Sequence, residues 1–197
     1  MKYSALSIVA IIMILSGCCI PSKIESHEQI KIIHLKEMNK IQSTLPQKLV
    51  LVGGCFDLLH YGHIQYLNKA REEGDYLIVA LEPDQSVQSR KKKTPFHTQD
   101  QRAYNLKSLS SVDLVVLLPV LKNYEDYLGL VKAIKPTVIA ITPDNPQREN
   151  LLKQAREVGA EVKTVAPFIE GLSSTTLKKY LMKDVDDRTF CSSSHLY

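Results

Sequence analysis

From Lys48 onward the chain alternates short, β-branched apolar runs with segments whose apolar residues recur at helical spacing, and this alternation restricts its fold most. Lys48–Val52 and Tyr76–Leu81 read as buried strands, each bounded by glycine or by a Gly-Asp pair. Between them, residues 62–73 carry Ile64, Leu67 and Ala70 on one face and Lys69, Arg71, Glu72 and Glu73 on the others, as a helix covering a sheet would. The pattern continues with a helix near 100–109, a strand over 114–118, a helix over 124–134, a strand over 137–142, a helix over 148–158 and a strand over 161–165. Repetition of this kind predicts an α/β protein, a parallel sheet with helices on both faces in a single domain. Ligands of such sheets bind beyond the carboxyl ends of the strands, where strand order reverses. The candidate rim is therefore 53–63, 82–93, 142–145 and 167–176.

Composition sets the outer bounds. A net charge of +4 over 197 residues is too mild to argue for nucleic acid as a partner. The four cysteines, Cys18, Cys19, Cys55 and Cys191, give neither a disulfide framework nor paired zinc ligands. No Walker A loop, no GxGxxG after the first strand and no nucleophile elbow is present, which disfavours P-loop, dinucleotide and hydrolase chemistry.

The ends read differently from the middle. Residues 1–18 pass from Lys2 through an apolar run to Leu15-Ser16-Gly17-Cys18, the order of a lipoprotein-type export signal, with Cys18 as the expected anchor. Residues 19–47 read as a polar linker with one short helix near 28–38, residues 48–182 as the domain, and 183–197 as a flexible tail. The expected location is the membrane through Cys18, or the cytoplasm if Met38 is the true start.

The segment Gly54-Cys55-Phe56-Asp57-Leu58-Leu59-His60-Tyr61-Gly62-His63 joins the first strand to the first helix. It resembles the first loop of the HxGH nucleotidyltransferase superfamily, cytidylyltransferase-like branch, G-x-F-D-x-L-H-x-G-H, at all seven specified positions. Glu170-Gly171-Leu172-Ser173-Ser174-Thr175 is similar to that family's later G-x-S-T-T segment. The resemblance covers about residues 48–182 and implies a Rossmann-like fold.

It further implies transfer of a nucleotidyl group from ATP or CTP to a phosphorylated sugar or polyol, with release of pyrophosphate. Mg²⁺ would shield the phosphates, and no protein metal ligand is assigned. Such a transfer gathers negative charge on the α-phosphate and the leaving pyrophosphate, and donors fixed at a helix N-terminus lower its barrier. His60 and His63 are the expected catalytic pair, with Lys91, from the cationic run Arg90–Lys93, as a mobile charge for the phosphates. Gly54, Cys55, Phe56, Asp57 and Gly62 are assigned to the nucleotide-binding loop. Within it the Cys55 thiol reads as buried and inert, Phe56 as packing, and Asp57 equally as nucleotide contact or as loop-shaping acid. Arg102, Asp144, Ser173, Ser174 and Thr175 complete the nucleotide-binding set.

Ile141-Thr142-Pro143-Asp144 stands where heptose-phosphate enzymes have Lys-Gly-Gly-Asp, which leaves base and acceptor open. The closest likeness within the family is to heptose 1-phosphate adenylyltransferase domains, then glycerol-3-phosphate cytidylyltransferases, then FAD synthases. A homodimer is the expected assembly. A catalytically idle, lipid-anchored nucleotide-binding protein is the alternative of another class, motivated by the export-type N-terminus.

Overall fold

The computed structural model describes residues 32–92 and 94–165, without the side chains of Arg90 and Lys91. The expected signal with Cys18, Ser173, Ser174 and Thr175, and the 183–197 tail lie outside the described residues.

Among the described residues six parallel strands form one sheet. In chain order they are β1 (Ile32–His34), β2 (Leu49–Gly54), β3 (Tyr76–Leu81), β4 (Leu114–Leu117), β5 (Val138–Ile141) and β6 (Glu161–Thr164). The helices are α1 (Met38–Ile41), α2 (Tyr61–Arg71), α3 (Asp84–Lys91), α4 (Gln99–Lys107), α5 (Tyr124–Ile134) and α6 (Arg148–Val158). The spatial order β1-β4-β3-β2-β5-β6 is Rossmann-like. From β2 the chain winds outward through β3 and β4, then returns to place β5 on the other side of β2.

Strand parity divides the core into two layers, as the near-continuous apolar runs require of a sheet covered on both faces. Val50, Val52, Leu77, Val79, Leu81, Val115, Leu117, Val138 and Ala140 face Tyr66, Leu67, Ala70, Ala103 and Leu106 of α2 and α4. The alternate residues Leu49, Leu51, Ile78, Ala80, Leu114, Val116, Ile139 and Ile141 face Met38, Leu130, Val131, Ile134 and Ala155 of α1, α5 and α6. Helix starts follow local chemistry: Thr98 and Gln101 form a reciprocal capping box on α4, and Asn123 accepts from the Asp126 amide on α5.

Two expectations are corrected. The stretch read as linker contains β1, which pairs in parallel with β4 from Ile32↔Val115 to His34↔Leu117, and the helix expected near 28–38 starts only at Met38. Ile33 is 7% exposed and Met38 0%, so both belong to the core beneath α5. A three-residue strand between Lys31 and Leu35 has no period to read; its stability comes from pairing with β4. The cationic run Arg90–Lys93 falls on the rim segment 82–93, where the sequence suggests no helix, yet Arg90 and Lys91 end α3 and Lys92 caps it with a left-handed φ of 51°. Of α3's apolar residues only Val87 could have shown a period, and a single buried valine shows none. Cations at this end are favoured by the negative pole of the helix dipole.

Candidate active site at the carboxyl ends of the strands

β2 pairs with β3 over six residues, from Leu49↔Tyr76 to Gly54↔Leu81, but with β5 over only two, Val50↔Val138 and Leu51↔Ile139. The strands therefore part at their carboxyl ends, between the 54–63 loop and the turn after β5. Tyr66 closes the seam from below, its hydroxyl donating to the Ala140 carbonyl at 2.7 Å. That carbonyl lies just past the end of the β2–β5 ladder, and burial holds the Tyr66 phenol well above its ordinary range.

At the mouth of this seam His60 is the N-cap of α2, with extended backbone angles of −139° and 171°. Its side chain makes no capping hydrogen bond, so the ring is not spent on the helix start. The His60 and His63 rings stack with centroids 3.8 Å apart at 25°. His60 Nδ1 is buried without a hydrogen-bond partner among the described residues. Burial lowers the His60 pKa from its ordinary 6.5, so at neutral pH that ring is uncharged and offers one N–H donor. The first-turn amides of α2 and the positive end of its dipole lie at this same helix terminus. The arrangement is suited to holding an anion and to following a growing negative charge.

The loop that leads there is built around Phe56, which is 5% exposed and has a φ of 45°. A left-handed phenylalanine costs about 1–2 kcal/mol and persists only where its neighbours fix it. Its ring meets His63 edge-on, centroids 5.3 Å apart at 62°. Gly54 makes room for it, since a Cβ there would lie 2.8 Å from Phe56 Cε2.

Asp57 is 4% exposed. Its carboxylate accepts from the Phe96 amide at 2.8 and 3.0 Å and from the His97 amide at 3.0 Å, while its carbonyl lies 3.0 Å from His97 Nδ1. These bonds tie the 55–57 loop to the segment before α4. The Cys55 thiol is half-buried rather than buried.

Arg102, expected at the phosphates, is 0% exposed. Nε donates to His97 O at 3.2 Å, Nη1 to Cys55 O, and Nη2 to Glu82 O at 2.8 Å and Asp84 Oδ1 at 2.7 Å. Four of its five donor directions are thus filled from within the protein.

Asp144 is exposed in the turn after β5, across the seam from the histidines' loop. The side chain of Lys91 is outside the described residues.

Three residues at or beside the rim are not singled out by the sequence. Glu82, 6% exposed, follows β3 and accepts from the Tyr127 hydroxyl at 3.0 Å. Asp84 pairs with Arg102. Gln99 opens α4 and donates from Nε2 to the Leu81 and Leu118 carbonyls, both at 3.0 Å, tying the ends of β3 and β4. A carboxylate directly after an apolar strand, as at Glu82, is the one signal that could have singled out any of them.

Among the described residues no group of three or more His, Cys, Asp or Glu side chains could hold a metal ion. Asp57, Asp84 and Glu82 are engaged with backbone amides, Arg102 and Tyr127 respectively. Any Mg²⁺ at this rim would therefore be held mainly by the phosphates it accompanies rather than by a cluster of the described side chains.

Comparison with known proteins agrees with this geometry. The cytidylyltransferase-like family profile matches residues 51–196. Bifunctional protein HldE of Aliarcobacter butzleri is 37% identical over 77% of this chain, which spans only 32% of that protein. FAD synthase of Pyrococcus horikoshii is 39% identical over 59% of this chain and 77% of its own length. Among solved structures, the lipopolysaccharide core biosynthesis protein of Thermoplasma volcanium superposes with a TM-score of 0.53 at 25% identity, covering 62% of this chain and 98% of that one. Pantoate-beta-alanine ligase of Francisella tularensis shares the fold, with a TM-score of 0.58 at 18% identity over 80% of this chain and 76% of that one. Because the family profile spans most of the chain, the chain belongs to the cytidylyltransferase-like family.

Proposed function

We propose that the chain transfers AMP or CMP from ATP or CTP to a phosphorylated small molecule, as a heptose 1-phosphate adenylyltransferase does. The observation that carries this reading is the stacked His60–His63 pair at the α2 N-terminus, set where β2 and β5 part. An oxygen of the acceptor's phosphate attacks the α-phosphorus in line. The new P–O bond forms as the bond to the bridging α–β oxygen breaks, and pyrophosphate leaves with that electron pair. No covalent enzyme intermediate is needed. His60 and His63 donate to the oxygens on which charge grows, and the α2 amides add fixed dipoles that need no reorganisation. Gly54, Phe56, Asp57 and Gly62 shape the loop beneath the phosphates, while Lys91, Asp144 and the Ser173–Thr175 segment belong to the nucleotide side of the proposal. Mg²⁺ belongs to it only as the counter-ion of the triphosphate.

The sugar-phosphate acceptor is supported by the likeness to Bifunctional protein HldE and to a protein named for lipopolysaccharide core biosynthesis, a structure built of sugars. A second reading, FMN as acceptor, is favoured by the chain's span of 77% of an FAD synthase against 32% of the first protein. Pyrophosphate release with ATP and with CTP, against heptose 1-phosphate, glycerol 3-phosphate and FMN, separates these. Release with ATP and heptose 1-phosphate alone is the expected result; release with none refutes the proposal. Anchoring through Cys18 and assembly as a homodimer are part of the proposal too, checked by the mass and membrane side of the mature chain and by its sedimentation.

A further inference from the structure

The first loop is held from two sides by groups that do not belong to it. Upstream of Phe56, the Cys55 carbonyl accepts from Arg102 Nη1; downstream, the Asp57 carboxylate accepts from the Phe96 and His97 amides. Arg102 also accounts for the far side of that frame, because its Nε donates to His97 O at 3.2 Å. Its Nη2 fixes Glu82 O and Asp84 Oδ1, the end of β3 and the start of α3. One buried guanidinium thus joins the 55–57 loop, the β3 terminus, α3 and the loop before α4. Phe56, left-handed between the two anchors, meets His63, and His63 stacks on His60.

We propose that Arg102 is a positioning residue for the reaction: through Cys55, Asp57 and Phe56 it sets the orientation of the His63–His60 pair, and it makes no contact with the nucleotide phosphates. The inference rests on the function proposed above only for its turnover readout. A guanidinium with 0% exposure and four bonds inside the protein has no face to offer an anion. A lysine in its place keeps the charge but can satisfy neither the fork of carbonyls nor Asp84 in the same geometry. Loosening by about 1 Å at the reacting centre costs on the order of 10²-fold in turnover.

The test uses Arg102→Lys and, since that change strikes the core, Asp84→Asn, whose carboxylate side chain is 40% exposed. Nucleotide dissociation constants are measured for the full chain at two salt concentrations, alongside kcat and the imidazole resonances of His60 and His63 without ligand. Arg102→Lys is expected to lower kcat about 10²-fold, to shift both histidine resonances and to leave the nucleotide constant and its salt dependence within about threefold. Asp84→Asn is expected to act in the same direction, by several-fold in kcat, with the same unchanged affinity. A weaker nucleotide affinity with a flatter salt dependence in Arg102→Lys would overturn the proposal, because that is the mark of a lost phosphate contact. Tighter nucleotide binding in Asp84→Asn would overturn it equally, since it would mean a released Arg102 reaches the anion. Histidine resonances unmoved in both folded variants would do the same, and if Arg102→Lys does not fold, Asp84→Asn decides alone. Should wild type turn over none of the acceptors, the resonances and nucleotide constants still decide this inference, so its failure stays distinct from that of the proposed reaction.

Discussion

Removing a single oxygen at Tyr66 tests whether the crevice is built as described. Successive carbonyls of a strand point to opposite sides; Ile141 O is taken on the β6 side by the Val165 amide at 3.1 Å, so Ala140 O faces β2. There the ladder has ended, and the Tyr66 hydroxyl at 2.7 Å stands in for the missing strand partner. Tyr66→Phe keeps the buried ring and leaves that carbonyl without a donor, which costs about 1–3 kcal/mol. For a chain of this size the corresponding fall in Tm is roughly 2–12 °C. The assay is urea unfolding at pH 7.5 and again above pH 10, with the m-value expected unchanged. Burial raises the folded Tyr66 pKa above its ordinary 10.0. The stability it contributes is therefore full below pH 10 and lost as pH rises toward the folded value, while the phenylalanine variant lacks that loss. The gap between wild type and variant should narrow in alkali; Tyr76, also raised by burial and by Asp113, is present in both and cancels. A gap under about 0.3 kcal/mol at pH 7.5, or one that widens above pH 10, refutes the assignment of Tyr66 to the seam.

Three further outcomes are expected. His63→Ala in folded protein should lower turnover about 10²–10³-fold, the scale for one lost transition-state donor, and activity within about twofold of wild type would take His63 out of the mechanism. Because burial lowers the His60 pKa from 6.5, the stability linked to it is full above pH 6.5 and lost as pH falls through the lowered folded value. Acid unfolding of His60→Asn should accordingly show a shallower dependence there than wild type, and identical curves would contradict the shift. Deleting residues 1–37 removes β1 and the buried Ile33, and uncovers the wholly apolar β4, Leu114–Leu117, as an edge. Light scattering should show aggregation at concentrations where the full chain stays dispersed, and a monodisperse, equally stable truncation would mean that β1 adds nothing to the sheet.

Much of this fold is legible because its period repeats. Strands β2 to β5 and the helices α2, α4, α5 and α6 each carry either an apolar strand run or a helical apolar face, and these two patterns exclude each other. β1 and α3 carry neither. β1 is a strand because β4 has an open edge beside it, and α3 is a helix because Asp84 at its start is held by Arg102 while Val87 is buried beneath it. Both causes lie on other segments, outside any local window.

The site divides along the same line. Gly54, Phe56, Asp57, His60, Gly62 and His63 lie within ten residues, and one stretch of chain fixes their spacing, so their chemistry can be read directly. Arg102 shows the opposite case. In sequence it is one more cation on a helix, and its charge suggests an anion as partner. Its actual partners are three carbonyls and a carboxylate contributed from positions 55, 82, 84 and 97, and no periodicity brings those together. A carbonyl is an invisible partner in a sequence, because every residue has one. The burial of a charge is therefore the property least open to sequence reading, and at this rim it separates Arg102 from the exposed cations of the surface.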